Sequence, residues 1–372
     1  GYTNTFGRVL IRDSPYLSGM ENFDVEKLIK YIEPIKDGTN YWLVRTMGGD
    51  YYDEYVDKHF IAIGYNEITV DDLNHLPEKE KTARKILQEM LKGRRENIRN
   101  TSYPASQMLR FAREMKVGDI VIVPASSSYK VTFGVIESEL YQEKMNLHAA
   151  LGCPFAKRRN VKWLRTSMRH SLPAELQLMF NSRHIISEIK SYASYVDNFL
   201  NDFYTKGDMT YLVLRVRQED TLSADDFTLV GDLMELFNDY SSKNGLGLTS
   251  QDIKMKMSVQ SPGDILVFAQ SPEGITIIGL IVLFIKGGTF SINVGNFHVE
   301  AKSPTIGDTF SKMVKTVNEF LNDRTKRKTI KKLSKKLDNM EIEAPTAIVD
   351  MIKQLGTSFT KSDSDSTDEK SI

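Results

Sequence analysis

The side chains with chemical potential fall into two sets, scattered acids and histidines on one hand and runs of cations on the other. A metal-dependent nuclease of the PD-(D/E)xK kind needs an acid on one strand and acid-x-Lys on the next, so that carboxylates hold a metal beside the scissile phosphate. Glu188-Ile189-Lys190 and Asp252-Ile253-Lys254 match the second half of that pattern. Glu188, however, falls in an apolar spacing that reads as helix, and such tripeptides arise often by chance. His59, His75, His148, His170, His184 and His298 are scattered and read as surface or satisfied core residues rather than ligands. The chain has no glycine-rich phosphate loop, His-Glu-x-x-His or nucleophile elbow. No catalytic residue, cofactor or metal is therefore expected.

The cations are patterned. Residues 81–100 hold seven Lys/Arg, Arg94, Arg95 and Arg99 among them, against two Glu, which suits a solvated helix face or a set of phosphate contacts. Residues 151–170 hold Lys157, Arg158, Arg159, Lys162, Arg165 and Arg169 and no acid. That density costs self-repulsion unless an anion or distant carboxylates offset it, and it favours phosphate binding. Residues 324–336 hold eight Lys/Arg and no acid; Ile330 and Leu333 suggest a basic helix facing nucleic acid, an anionic membrane surface or only water. The whole chain balances 49 basic against 49 acidic residues, so only these patches argue for an anionic partner. The candidate phosphate contacts are Arg94, Arg95, Arg99, Lys157, Arg158, Arg159, Lys162 and Arg165.

The elements that must position these groups centre on Thr101–Glu137. Ser102 or Tyr103 can cap a helix with Pro104 in its first turn, and Met108, Leu109, Phe111, Ala112 and Met115 follow at helical spacing. Val117-Gly118-Asp119 breaks the period, Ile120–Val123 reads as a buried strand stopped by Pro124, and Val131, Phe133 and Val135 give a second strand one apolar face. This stretch resembles the core of the PUA-like superfamily, in particular EVE domains and the EVE-like reader at the N-terminus of some Mrr-type modification-dependent restriction endonucleases. The resemblance rests on Arg113-Glu114-Met115-Lys116-Val117-Gly118-Asp119 with its following strand and on Gly134-Val135-Ile136. It extends to Tyr41-Trp42-Leu43-Val44-Arg45 with Gly48-Gly49-Asp50-Tyr51, to Phe60–Tyr65, and to Arg159-Asn160-Val161-Lys162-Trp163 as a closing strand.

The resemblance covers about 40–200 and implies a β-barrel reader that holds a modified or flipped base. Stacking rings must then offset the few kcal/mol that a base costs to unstack. The rings chosen are Trp42, Tyr65, Tyr103 and Trp163, with Ser102 and Gln107 as polar groups; Trp42 and Trp163 also suit plain core positions. Tyr103 stands where EVE domains usually have tryptophan. Because the restriction enzymes follow their reader with a nuclease and 209–356 shows no such site, only binding carries over.

Length 372 suggests two domains, and 41% hydrophobic residues fill two cores. The single Cys153 excludes an internal disulfide and fits a reducing compartment, hence the cytoplasm. Met20 reads as a natural start and 1–19 as an appended extension. Residues 23–40 and 184–204 read as helices, with Thr205–Asp208 as the boundary between a 20–204 reader and a 209–356 domain. In the latter, strands at 211–216, 255–259 and 265–268, a helix from 224 to 241 with a capping box at Ser223, a hairpin at 290–299 and a helix at 306–322 give an α+β fold with an antiparallel sheet. The run Ile275–Ile285 is too short to span a bilayer and reads as a helix buried on all sides, with Gly279 admitting a neighbouring backbone. The tail 357–372 reads as disordered.

The expectation is thus a two-domain α+β protein, a PUA/EVE-like barrel with flanking helices followed by the second domain. It binds nucleic acid, DNA in preference to RNA, in a restriction or antiphage setting, with a homo-oligomer through 209–356 and an effector protein as further partners and no membrane. The alternatives are a divergent nuclease with its site in 209–356, or an RNA-binding protein.

Overall fold

The computed structural model describes residues 32–96, 98–144, 152–218, 223–257, 263–286 and 307–351. The chain divides into two compact units, one of residues 35–201 and one of 1–34 with 202–372. The extension at 1–19, the hairpin at 290–299 and the tail from 357 lie outside the described residues. Residues 33–35, expected within a helix, form strand β1 (Glu33–Ile35) instead. Pro34 explains the change, since proline disfavours α geometry in the residue before it and cannot donate inside a helix.

In the 35–201 unit the strands are β2 (Tyr41–Val44), β3 (Phe60–Ile63), β4 (Ile120–Pro124), β5 (Lys130–Ile136), β6 (Tyr141–Gln142), β7 (Lys157–Met168) and β8 (Ile186–Glu188). They run in the order β3-β7-β5-β4-β2-β8, with β6 added to β7, and curl into a half-barrel. β2 and β4 are parallel, whereas β4–β5, β5–β7, β3–β7 and β2–β8 are antiparallel. Alternation along the strands feeds two cores, one on each face of the sheet. Trp42, Val44, Val121, Val123 and Ile136 join Tyr55, Leu87, Met108 and Phe111 in one. Tyr41, Leu43, Ile122, Val131 and Phe133 join Leu176, Val196 and Phe199 in the other. Both faces are covered, so β2 and β4 read as unbroken apolar runs and β5, expected to have one apolar face, is buried on two.

Two signature features are structural. The Asp119 carboxylate accepts from Trp42 Nε1 at 2.8 Å, from Asn40 N at 3.0 Å and from Lys116 N at 2.9 Å, so it ties its own turn to β2. Gly134 faces Trp163 at a bulge in the β5–β7 ladder, and a Cβ there would lie 2.6 Å from the indole ring. Helices Glu80–Arg94 and Ser102–Leu109 cover the first core, the latter extended by a π-turn over Arg110–Glu114.

Residues 184–204 are not one helix. Ile186 lies on β8, Ala193–Leu200 is a separate short helix, and Phe203 begins a strand of the other unit. Ile186 on β8 and Ile189, just past its end, enter opposite cores.

The second unit carries β1, β9 (Phe203–Lys206), β10 (Met209–Val216), β12 (Gly263–Ala269) and β11 (Lys254–Met257) in that spatial order, with β9–β10, β10–β12 and β11–β12 antiparallel. The expected boundary Thr205–Asp208 is thus a hairpin turn, with Gly207 at φ 59°, and the units divide between Asn201 and Asp202. Helix Leu229–Asn244 begins after the Ser223–Asp226 pairing and ends at Gly245 in the left-handed region. Helix Pro272–Lys286 is buried on all sides from Gly274 to Leu283. Gly279 admits a side chain rather than a backbone, because a Cβ there would lie 1.9 Å from Ile348 Cδ1. Among the described residues no helix is long and apolar enough to cross a membrane.

Candidate nucleic-acid interface

Helix Ser102–Leu109 lies along β8, the end strand of the sheet, and its side chains satisfy that strand's outer edge. Tyr103 Oη accepts from Ile185 N at 2.8 Å, Gln107 Oε1 accepts from Ile186 N at 2.7 Å, and Arg110 Nη1 donates to Ile186 O at 3.1 Å. The spacing i, i+4, i+7 puts all three on one stripe, and an edge so covered is closed to further strand pairing. Gln107, expected as a pocket group, is buried and spent on this contact. Tyr103 keeps its ring half-buried, 5.7 Å from the exposed His184 ring.

From His184 an open cleft of about 710 Å³ runs along β8, lined also by Arg110, Asn181, Ser187, Glu188 and Tyr192. Glu188 is exposed on a strand and paired in register with Trp42, contrary to the helical placement expected for it. Among the described residues no three or more His, Cys, Asp or Glu side chains come together to hold a metal.

Tyr65 is the other expected ring at this end of the unit. Burial raises its pKa first, and the Tyr103 hydroxyl raises it further while Arg95 opposes. Arg95 lies 5.3 Å over the Tyr65 ring and pairs with Glu67 at 3.2 Å. Ser102 is exposed, but the helix start offers fewer free donors than expected, because Asn100 Oδ1 already accepts from Ser102 N at 2.9 Å and Tyr103 N at 3.4 Å. Arg99 is exposed beside it.

The remaining expected residues sit elsewhere. Trp42 is a core residue at 2% exposure, its indole N–H on Asp119. Trp163 is half-buried across Gly134, donating to Tyr55 O at 3.1 Å. Lys157, Arg158 and Arg159, expected on phosphates, are buried and bind the protein's own carbonyls. Lys157 Nζ donates to Tyr65 O and Ile68 O at 2.7 and 2.8 Å, and burial lowers its pKa to about 8. Arg158 reaches Phe155 O and Cys153 O and lies 4.1 Å over the Phe60 ring. Arg159 donates to Phe111 O, Ala112 O and Ser138 O at 3.0, 3.2 and 3.2 Å. Arg165 lies 4.1 Å over Phe199 and donates to its carbonyl. Arg94 forks onto Asp72, whose carboxyl it holds well below the usual range. Of the expected cations Lys162 and Arg99 are exposed without being so consumed, and Arg95 is exposed but paired with Glu67.

Three contributors escape sequence reasoning. His184 lies against Tyr103 with the rings tilted by 32°, and the half-buried Tyr51 and Phe155 rings meet edge-on at 5.3 Å, with Phe155 seated against Gly64. Tyr51 lies in the quoted Gly-Gly-Asp-Tyr signature, a usable signal, whereas Phe155 and His184 sit in irregular segments without periodicity.

The 35–201 unit is therefore a barrel-like α+β domain with half-buried rings and exposed cations around one helix start. A family model described as a domain of unknown function, DUF8426, matches residues 41–184. No curated protein matches the sequence. Among solved structures, the chain is similar to the YTH domain of the Zygosaccharomyces rouxii MRB1 protein in complex with N6-methyladenosine RNA. The identity is 12% and the TM-score 0.24, over 44% of this chain and 86% of that chain.

Proposed function

We propose that the 35–201 unit binds nucleic acid by taking one base against the Tyr103–His184 rings at the mouth of the β8 cleft. The observation that carries the reading is the cleft itself. It is lined by the exposed His184, whose ring lies 5.7 Å from the half-buried Tyr103 ring, and by Arg110, Asn181, Ser187 and Glu188, which together offer donors and acceptors to a base edge. Its volume lies in the range of about 300–1,000 Å³ usual for small-ligand sites, enough for a single extruded nucleotide. Arg95, Arg99 and Ser102 border the ring pair and suit the flanking backbone. That the base is modified, that it is carried on DNA, and that the protein acts in a restriction or antiphage setting rest on the EVE-like sequence resemblance.

The test is a titration of the full chain with DNA carrying a panel of modified cytosines and adenines, with RNA as competitor and a divalent metal present. Tyr103→Ala is expected to lower affinity for the preferred ligand by about 1–3 kcal/mol, the usual worth of one base–aromatic stack. Tyr103→Phe keeps the ring and loses only the bond to Ile185 N, so most affinity should remain. Unchanged discrimination in Tyr103→Ala would show that the base sits elsewhere. Preferential binding of RNA would reassign the ligand, and metal-dependent cleavage would restore the nuclease alternative.

A further inference from the structure

The basic helix of the second unit, Arg327–Asn339, has two faces with different fates. One is consumed inside the fold: Lys326 pairs with Asp239, Lys332 with Asp232 at 3.2 Å, and the buried Lys336 with Asp232 and with Asp225 at 3.6 Å. The other carries Arg327, Lys331 and Lys335, all exposed. They recur every four residues, so they form a row about 12 Å long at a rise of ~1.5 Å per residue.

That row lines a cleft of about 780 Å³ shared with helix Gly307–Leu321, which contributes Asn318, while Asn322 lies just past its end and donates from Nδ2 to Asn318 Oδ1 at 3.3 Å. Phe284, Leu321 and Ile330 give it apolar surface. Asp338 also lines the cleft, but Lys286 neutralises it at 2.7 Å. The cleft is thus cationic along one wall and carries carboxamides and apolar surface besides.

The combination selects a ligand class. Charge alone would suit an acidic peptide, but a carboxylate only accepts, so it would engage the carboxamide N–H groups and leave their oxygens unmatched. A nucleobase edge uses both functions, and its face suits the apolar surface. The volume falls within the ~300–1,000 Å³ of small-ligand sites, so it admits one or two nucleotides and not a duplex.

We infer that this cleft is a second phosphate site that takes a ligand of nucleotide chemistry, its phosphates on Arg327, Lys331 and Lys335 and its base against Asn318, Asn322 and the apolar surface. The site lies in the other unit from the β8 cleft and stands or falls independently of it.

Calorimetric titration of the full chain with ATP, GTP and a short single-stranded oligonucleotide, each at several salt concentrations, tests the inference. Lys331→Ala and Lys335→Ala should each weaken binding roughly fivefold and flatten its salt dependence. The double variant Asn318→Ala/Asn322→Ala should change the preference between bases and leave the salt dependence alone. Lys332→Ala, on the consumed face, should bind as the unaltered chain does. Saturable binding of mononucleotide identifies a free nucleotide as the source, and binding of the oligonucleotide alone identifies a strand. Tyr103→Ala separates the two sites, since it should leave this binding intact even where reader affinity is lost. No binding of nucleotide or oligonucleotide at low salt, equal binding of an acidic peptide, or equal weakening by Lys332→Ala would overturn the inference.

Discussion

The two acid-free basic runs, 157–165 on β7 and 324–336 on the last long helix, look alike as strings of letters and end in opposite environments. On β7, Lys157, Arg158 and Arg159 turn inward and cap carbonyls of neighbouring loops and of the π-turn. Along the second run the cations split by face, Lys326, Lys332 and Lys336 pairing with acids of helix Leu229–Asn244 and Arg327, Lys331 and Lys335 lining a cleft. The difference follows from periodicity. A strand at the mouth of a curled sheet can bring consecutive residues near irregular segments whose carbonyls lack partners, and a guanidinium with five donors is well suited to satisfy several at once. A helix sends every third or fourth residue to one side, so its cations are sorted into two sets. Charge density alone therefore does not mark a phosphate site. What marks it is a cation with no carbonyl or carboxylate to satisfy.

Arg159→Met tests the inward placement of the β7 cations most directly. It removes the donors for three carbonyls at 1% exposure. Buried polar groups left unmatched cost ~1–3 kcal/mol each before any relaxation, so a loss of about 3 kcal/mol or more in urea unfolding is expected. A loss under about 0.5 kcal/mol, the size typical of an exposed position, would return Arg159 to the surface set. Reversing Arg158 and Arg159 to Glu is for the same reason a test of folding and not of binding.

Next in size is the pH dependence of Lys157. Burial lowers its pKa from 10.5 to about 8 in the folded chain. Between those values the unfolded state holds a proton that the folded state has released, so stability rises with pH across the window. The gain relative to Lys157→Met should be about 2.5 kcal/mol across that window, each pKa unit being worth ~1.4 kcal/mol and both titrations being only half complete at its ends. Parallel stability curves for the two proteins from pH 8 to 10.5 would show that the ammonium is solvated.

These positions also show what the sequence could and could not reveal. β4 was legible as a β-branched run bounded by Gly118 and Pro124, β5 from the alternation of Val131, Phe133 and Val135, β7 only through the resemblance at Arg159–Trp163, and the helix from Ser102 from its spacing. The segment 184–204 was not, since Ile186 and Ile189 mimic a helical stripe while feeding cores on two sides of a sheet. Of the rings that the resemblance singled out, Tyr65 and Tyr103 lie close enough to influence one another. Trp42 was misplaced because a strand buried on both faces gives no alternation to say which rings are free. His184 was invisible, as its approach to Tyr103 depends on where an irregular loop returns.

The smallest expected effect on stability, and the sharpest on binding, belongs to Arg99 and Lys162. Both are exposed, and neither is drawn into the carbonyl contacts that hold the rest of their runs. Replacing either by Ala should change unfolding free energy by less than about 0.5 kcal/mol, as surface substitutions usually do. If either side chain touches a phosphate, however, it releases a counterion on binding. The slope of log affinity against log salt should then fall by about 0.7–0.9 per residue removed, equally for every sequence tested. Arg99 stands beside the Tyr103 helix start, whereas Lys162 lies on β7 next to Trp163. A slope that falls for Arg99→Ala alone confines the nucleic acid to the helix start and the β8 cleft; one that falls for both extends its path over β7. A slope unchanged in both would mean that the exposed remnants of the basic runs, like the buried ones, serve the fold and its solubility, and that recognition rests on the rings and the cleft.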